Sequence, residues 1–306
     1  MKVLITGATG FIGKNLASRI AGKGHRVIAC GRSLDKLKNL TENVTPLYLS
    51  LEDKDNISKT LRGEKPDVIY HAAALIRGSR DDLMRVNRDG TRSILEAALG
   101  AGVKKVILLS SVAAITGNDS VPFKEDVPLS ANGPYGESKI ESEKLAGAYR
   151  EKGLKIAIIR PPMVYGPLEP HGLSMLIRLL RKRILPVFGK GENRVHIVSI
   201  ENLLDALEIC LSKEEACEGA YFVADKEVLT LRELLFYIAE CAGCKNPFTL
   251  PEGFSNFLSN LPVFGPCISS LRKDRVYSID RLREKLGYSP RVPVRKGLKE
   301  AVLSYC

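Results

Sequence analysis

Tyr135 and Lys139 stand four residues apart in Tyr135-Gly136-Glu137-Ser138-Lys139. On a helix that spacing puts both side chains on one face, a turn apart. A free phenol titrates near ~10 and is a poor base at neutral pH. A lysine ammonium beside it favours the phenolate and lowers that pKa. The pair can therefore take or return a hydroxyl proton while the carbon beneath gives up or accepts a hydride. Of the ten tyrosines, only Tyr135 has a lysine four residues on. The turn-like Ser130-Ala131-Asn132-Gly133-Pro134 before it lets a helix begin after Pro134. Ser110-Ser111 closes the apolar run Val106-Ile107-Leu108-Leu109. Of these two hydroxyls we assign Ser111 to the cleft, where it would hydrogen-bond a carbonyl or carbinol oxygen.

Thr6-Gly7-Ala8-Thr9-Gly10-Phe11-Ile12-Gly13 is the second chemistry-bearing stretch. It joins a short apolar run, Val3-Leu4-Ile5, to a helical pattern from Phe11 to about Ala21. Gly7 permits a tight turn, Gly10 lets backbone approach a pyrophosphate, and Gly13 lets helix and strand pack closely. The helix start then offers free N–H groups and a positive dipole end to phosphates. This reads as a dinucleotide loop, with Gly7, Thr9, Gly10, Phe11, Ile12 and Gly13 as contacts. The second strand ends in Gly31-Arg32-Ser33 rather than in a carboxylate. Arg32 can grip a ribose 2′-phosphate with its guanidinium fork, so NADP(H) is expected in preference to NAD(H).

These groups need a scaffold. Further strands are predicted at Val27–Cys30, Pro46–Leu49, Asp67–Tyr70, Val106–Leu109 and Lys155–Ile159, with helices between, notably Asp81–Ala98. Near-continuous apolar strands alternating with helices imply a doubly wound parallel sheet, an α/β architecture. After Pro161 the alternation loosens. Helices are expected at about Ser174–Arg183, Ile200–Leu211 and Leu231–Cys241, with two short ones near the end. A second, smaller, mixed and mainly helical domain should lie there, with the cleft between the two parts.

Composition narrows the classes further. The 306 residues carry 46 Lys plus Arg against 35 Asp plus Glu, a net charge of +11, with 44% hydrophobic residues. Disorder, a fibrous protein and a disulfide scaffold are excluded. No apolar run is long enough to span a bilayer. Seven scattered cysteines point to a reducing, cytoplasmic compartment. Cys241-x-x-Cys244 lacks a second pair, and the four histidines have no ligand spacing, so no metal is expected. The charge alone suggests nucleic acid, but no recognition motif or aromatic interleaving supports it.

The chain resembles an extended short-chain dehydrogenase/reductase of the NAD-dependent epimerase/dehydratase type. The resemblance rests on the Thr6–Gly13 loop, His71-Ala72-Ala73-Ala74, Val86-Asn87 with Gly90-Thr91, and Ser110-Ser111. It continues in Tyr135 with Lys139, Arg160 to Pro167, His196 to Asn202, and Leu286-Gly287-Tyr288-Ser289-Pro290. It implies a Rossmann fold and a triad of Ser111, Tyr135 and Lys139, with Lys139 also holding the nicotinamide ribose. It further implies cofactor contacts at Leu51, Ala72, Ala73, Ala74, Asn87, Pro162 and Val164. The dinucleotide domain would span 1–165, the substrate domain 166–306, and a segment at about 194–228 would return to the sheet near Tyr221. A homodimer is common among such proteins.

Departures from the pattern matter equally. Val112-Ala113 after Ser111 replaces the acidic pair of the 4,6-dehydratases, which disfavours dehydration. Ser50-Leu51 stands where many members carry an adenine-contacting aspartate, and Thr116 replaces a usual tyrosine. Three functions compete. One is a nucleotide-sugar epimerase or keto-reductase, with Arg194 and Arg272 as substrate phosphate contacts. Another is an NADP-dependent reductase or dehydrogenase of an apolar carbonyl or alcohol, akin to dihydroflavonol reductases and 3β-hydroxysteroid dehydrogenases. The uncharged stretch Phe254–Leu271 would line its pocket, touch a membrane or pack a core. The third is a non-catalytic cofactor-binding subunit, which the complete triad disfavours.

Overall fold

Each apolar run predicted as a strand in the first half enters one parallel sheet. The computed structural model describes residues 1–37, 40, 43–119, 121–253 and 272–306. In chain order the strands are β1 (Lys2–Thr6), β2 (Arg26–Gly31), β3 (Val44–Tyr48), β4 (Val68–His71), β5 (Lys105–Leu109) and β6 (Lys155–Arg160). Strand Ala220–Phe222 returns from far along the chain to pair with β6, Tyr221 opposite Ile159. The order across the sheet is Ala220–Phe222, β6, β5, β4, β1, β2, β3, every pairing parallel. The direction of winding reverses between β1 and β4. Their carboxyl ends therefore diverge into a crevice, the place where such sheets bind ligands.

Alternation along β1 shows how both faces are buried. Val3 and Ile5 belong to a core with Leu16 and Ile20 of α1 (Phe11–Gly22) and with Leu203 and Leu207 of helix Ile200–Ser212. Leu4 points the other way, into a core with Ile57 and Leu61 of α2 (Lys54–Glu64) and with Ile94 and Leu95 of helix Gly90–Gly100. Burial of each such side chain is worth about 1.5–3 kcal/mol. A third core, with Tyr165, Leu173, Ile177, Leu234, Ile238 and Leu298, holds the second part together.

Two expectations are corrected. The helix predicted over Asp81–Ala98 is Arg80–Leu83, then a wider π-type turn Met84–Asp89, then Gly90–Gly100. The wide turn carries Asn87, whose buried amide is engaged outside the helix, and such turns recur where a side chain must be aimed. The third strand begins two residues before Pro46–Leu49 and ends one residue before it. It is the sheet's edge, and its Pro46 and exposed Tyr48 blur the apolar signal. Beyond β6 the chain also forms short strand pairs, Met163–Tyr165 with Ile197–Ser199, Arg194–Val195 with Leu229–Thr230, and Val187–Phe188 with Thr249–Leu250. Strands of two or three residues leave no periodicity to read. Residues 254–271, the uncharged stretch, lie outside the described residues. Among the described residues no helix is long and apolar enough to cross a membrane.

Candidate active site

The glycine loop is held by contacts that only glycines allow. Gly7 has φ +71°, and a Cβ there would lie 2.6 Å from the Ala73 backbone nitrogen. A Cβ on Gly13 would collide with the Gly7 carbonyl oxygen. The loop therefore nests against both α1 and the turn after β4. Gly10 occupies the cap of α1 without any side-chain cap. The first N–H groups of α1 are thus left for a ligand.

A directed set of hydrogen bonds fixes this turn from below. The Thr91 hydroxyl donates to the Asn87 carbonyl (2.5 Å), so it accepts from His71 Nε2 (3.1 Å). His71 Nδ1 then accepts from the Thr6 hydroxyl (2.8 Å), which accepts from the Ala73 N–H (3.2 Å). Burial, with the nearby Lys139 charge, lowers the His71 pKa to about 3, so the ring is neutral as the chain requires. Strand β1, the Ala72–Ala74 turn and the π-type turn are locked together.

The acid–base pair sits across the same crevice. Helix Pro134–Glu151 (hereafter the Tyr135 helix) begins with Pro134 in its first turn, where the missing N–H costs nothing. Tyr135 is partly buried, with Ser111 as the polar side chain that favours its phenolate. The Lys139 ammonium lies 5.9 Å from the Tyr135 ring centre and donates to the Leu109 carbonyl (2.9 Å). Burial pushes the Tyr135 phenol up to about 12, with Ser111 opposing. Burial likewise lowers Lys139 to about 8, with the Glu143 carboxylate opposing. The expectation that Lys139 would depress the Tyr135 pKa is therefore corrected for the protein by itself, because burial of the phenol dominates. Ser110 turns away, donating to buried Glu143 (2.5 Å), while the Ser111 oxygen accepts from the Ala113 N–H (3.1 Å).

One cavity of about 560 Å³ runs along these groups. Its wall includes Gly7, Thr9, Gly10, Phe11, Ile12, Gly13, Arg32, Leu51, Ala72, Ala73 and Ala74 at one end. Ser111, Tyr135, Lys139, Pro162 and Val164 follow at the other. A cleft lined both by a helix start and by an acid–base pair suits a dinucleotide. The glycine cradle at Gly7 and Gly13, which a Cβ would fill, is the observation that fits it.

Three assigned residues are not on this wall. Asn87 is buried behind it. Its amide oxygen accepts the Leu75 N–H (2.7 Å), and its nitrogen donates to the Leu75 carbonyl (2.9 Å) and the Ser138 hydroxyl (2.9 Å). It braces the Ala72–Leu75 turn against the Tyr135 helix instead of contacting a ligand. Arg194 is exposed and paired through Nη2 with Asp274 (2.7 Å), which also accepts its backbone N–H. Arg272 lies near Glu252 (3.6 Å). Each arginine reads as unpaired in sequence because its carboxylate lies 80 or 20 positions away.

Other residues of the wall were not anticipated. Glu169 and His171 line it from the second part. The Glu169 carboxylate accepts the His171 N–H (2.7 Å) and the Leu173 N–H (2.8 Å), seating the start of helix Gly172–Arg181 beside the cleft. A carboxylate just before a helix is a readable capping signal. The crowded prolines and glycines around it obscured that reading. Thr116 is also on the wall. Among the described residues no group of three or more His, Cys, Asp or Glu side chains could hold a metal.

Comparisons with known proteins agree with this geometry. The sequence profile of the NAD dependent epimerase/dehydratase family matches residues 3–224. The UDP-glucose 4-epimerase of Mycolicibacterium smegmatis is 32% identical over 321 residues, covering 99% of this chain and 97% of that protein. The 2-alkyl-3-oxoalkanoate reductase of Stenotrophomonas maltophilia is 26% identical over 330 residues, covering 98% of each. Among solved structures, a Thermus thermophilus UDP-glucose 4-epimerase in complex with NAD superposes with a TM-score of 0.81 at 27% identity, covering 100% of this chain and 99% of that one. The chain belongs to the NAD dependent epimerase/dehydratase family, and is an NAD(P)-dependent enzyme of the extended short-chain dehydrogenase type.

Proposed function

We propose that the enzyme transfers hydride at a carbinol or carbonyl carbon of a nucleotide-linked sugar, as an epimerase or keto-reductase. The observation that carries this reading is the single cleft joining the glycine loop to Ser111, Tyr135 and Lys139. The likeness to UDP-glucose 4-epimerases supports the sugar-nucleotide class. When bound, the cofactor supplies the hydride acceptor or donor. The α1 N–H groups would hold its pyrophosphate, and Leu51 and Ala72 to Ala74 would flank its length. Pro162 and Val164 would pack at its reacting end, where Lys139 has donors beyond the one given to Leu109. Ser111 would hold the substrate oxygen, and Tyr135 would exchange its proton. Arg32 is exposed on the wall, which supports NADP(H) as the preferred cofactor.

A second reading, an NADP-dependent reductase of an apolar carbonyl, is favoured by one observation. Arg194 and Arg272, the candidate diphosphate contacts, are off the wall of the cleft. The likeness to an alkyl-oxoalkanoate reductase points the same way. We assign residues 1–165, with 194–228, to dinucleotide binding and 166–306 to substrate binding. Cytoplasmic placement rests on cysteine usage, and a homodimer on the family resemblance.

The test is to denature purified protein, identify any released nicotinamide cofactor, and then assay UDP-sugars against NADPH-dependent carbonyl substrates. Bound NAD with sugar epimerisation supports the first reading. Cofactor-free protein oxidising NADPH with an apolar ketone replaces it with the second.

A further inference from the structure

Glu143 extends the Tyr135–Lys139 series by one more helical turn. It is buried, as are Lys139, Ser110 and Arg160. Its carboxylate accepts from the Ser110 hydroxyl (2.5 Å), from Arg160 Nε (2.9 Å) and from Arg160 Nη2 (2.6 Å). Ser110 precedes Ser111 at the end of β5. Arg160 closes β6 and precedes Pro161 and Pro162 on the cleft wall. One carboxylate thus ties together the three elements that carry Tyr135 and Lys139, Ser111, and Pro162.

Stability does not call for this arrangement. A buried ion pair gains little over apolar side chains of the same volume, because both charges lose their hydration. Its charge must then be weighed for another use. The Lys139 ammonium is buried and, among the described residues, makes one hydrogen bond, to Leu109. The titratable or charged groups around it are Tyr135 and Glu143 on its own helix, neutral His71 on β4, and Arg160 on β6 beyond Glu143. Glu143 is the negative one that acts on it. Burial alone favours loss of the Lys139 proton, and Glu143 opposes that loss.

We propose that Glu143 is a positioning residue for proton transfer: through Ser110 it holds the Ser111 end of β5 against the Tyr135 helix, and its charge keeps Lys139 an ammonium. This rests on Tyr135 and Lys139 being the proton-transfer pair. Without Glu143, Lys139 would be neutral at a lower pH, and an uncompensated Arg160 would worsen the loss.

The test is the pH profile of kcat for the full-length enzyme with the substrate found by the screen above. The wild-type alkaline limb is expected near the Lys139 value of about 8. In Glu143→Gln that limb moves down by about one unit, so kcat falls about two-fold at pH 7 and about ten-fold at pH 9, with KM for the cofactor within about two-fold. Glu143→Asp restores most of the rate. If Glu143→Gln fails to fold, Glu143→Gln with Arg160→Met removes both buried charges and reads a smaller shift of the same sign. An alkaline limb at the wild-type position in the deciding variant overturns the proposal. Tyr135→Phe, measured alongside, separates the two ideas. Retained turnover there refutes the underlying pair, whereas lost turnover with an unmoved Glu143→Gln limb refutes only the role of Glu143.

Discussion

The two walls of the cleft are built on different terms. The wall from the first half includes turns held by their main chain: the Gly7–Gly13 turn, the start of α1 and the Ala72–Ala74 turn. Its tolerances are contacts between main-chain atoms, which cannot rotate away. The other wall, with Met163, Val164, Glu169, His171 and Gly172, stands on a short strand and a loop, with the Glu169 side chain seating the next helix. The first wall is suited to a constant ligand and the second to a ligand that differs between relatives. This explains how a UDP-glucose epimerase and an alkyl-oxoalkanoate reductase can both resemble this chain at full length.

The comparison is broken most severely at Gly13. Gly13→Val should abolish cofactor binding up to millimolar concentration, because the added atoms meet the Gly7 carbonyl. Isothermal titration checks this, and near-normal affinity would mean that the backbone wall yields after all. Next comes Tyr135→Phe. It should lower kcat by about 10²–10⁴-fold while cofactor affinity stays within about three-fold. Stopped-flow hydride transfer alongside equilibrium binding makes the separation visible. Arg32→Ala should weaken NADP(H) by about 10–100-fold, as for a lost charge-assisted bidentate contact, and leave NAD(H) unchanged. Equal loss for both cofactors would remove Arg32 from 2′-phosphate recognition. The smallest effect is expected at Arg194→Ala, off both walls. Its exposed ion pair with Asp274 is worth about 0–1 kcal/mol, so Tm and kcat/KM should barely move. A large rise in KM for a UDP-sugar would instead restore it as a phosphate contact.

How much could be read from sequence follows the same division. The glycine loop is contiguous, so its type and spacing are visible in one line of residues. Tyr135 and Lys139 are visible because a single helix sets their relation. The sheet was legible because β1, β2, β4 and β5 are buried on both faces and so nearly uniformly apolar. What stayed hidden depends on distant partners. Asn87 resembles a cofactor ligand until Ser138, 51 positions on, takes its amide. Arg194 resembles a phosphate ligand until Asp274 pairs with it. Glu143 carries no signal until Arg160 and Ser110 converge on it.

The late return of strand Ala220–Phe222 bears on how the molecule is made. During synthesis β6 leaves the ribosome with its outer edge open, since its partner lies some 60 positions later. An unpaired edge in a nascent sheet invites pairing with other chains. The intervening residues must therefore be spun out, and the sheet sealed behind them, before the cleft has a finished floor. Folding of this enzyme is a closing of its far edge as much as a growth from its start.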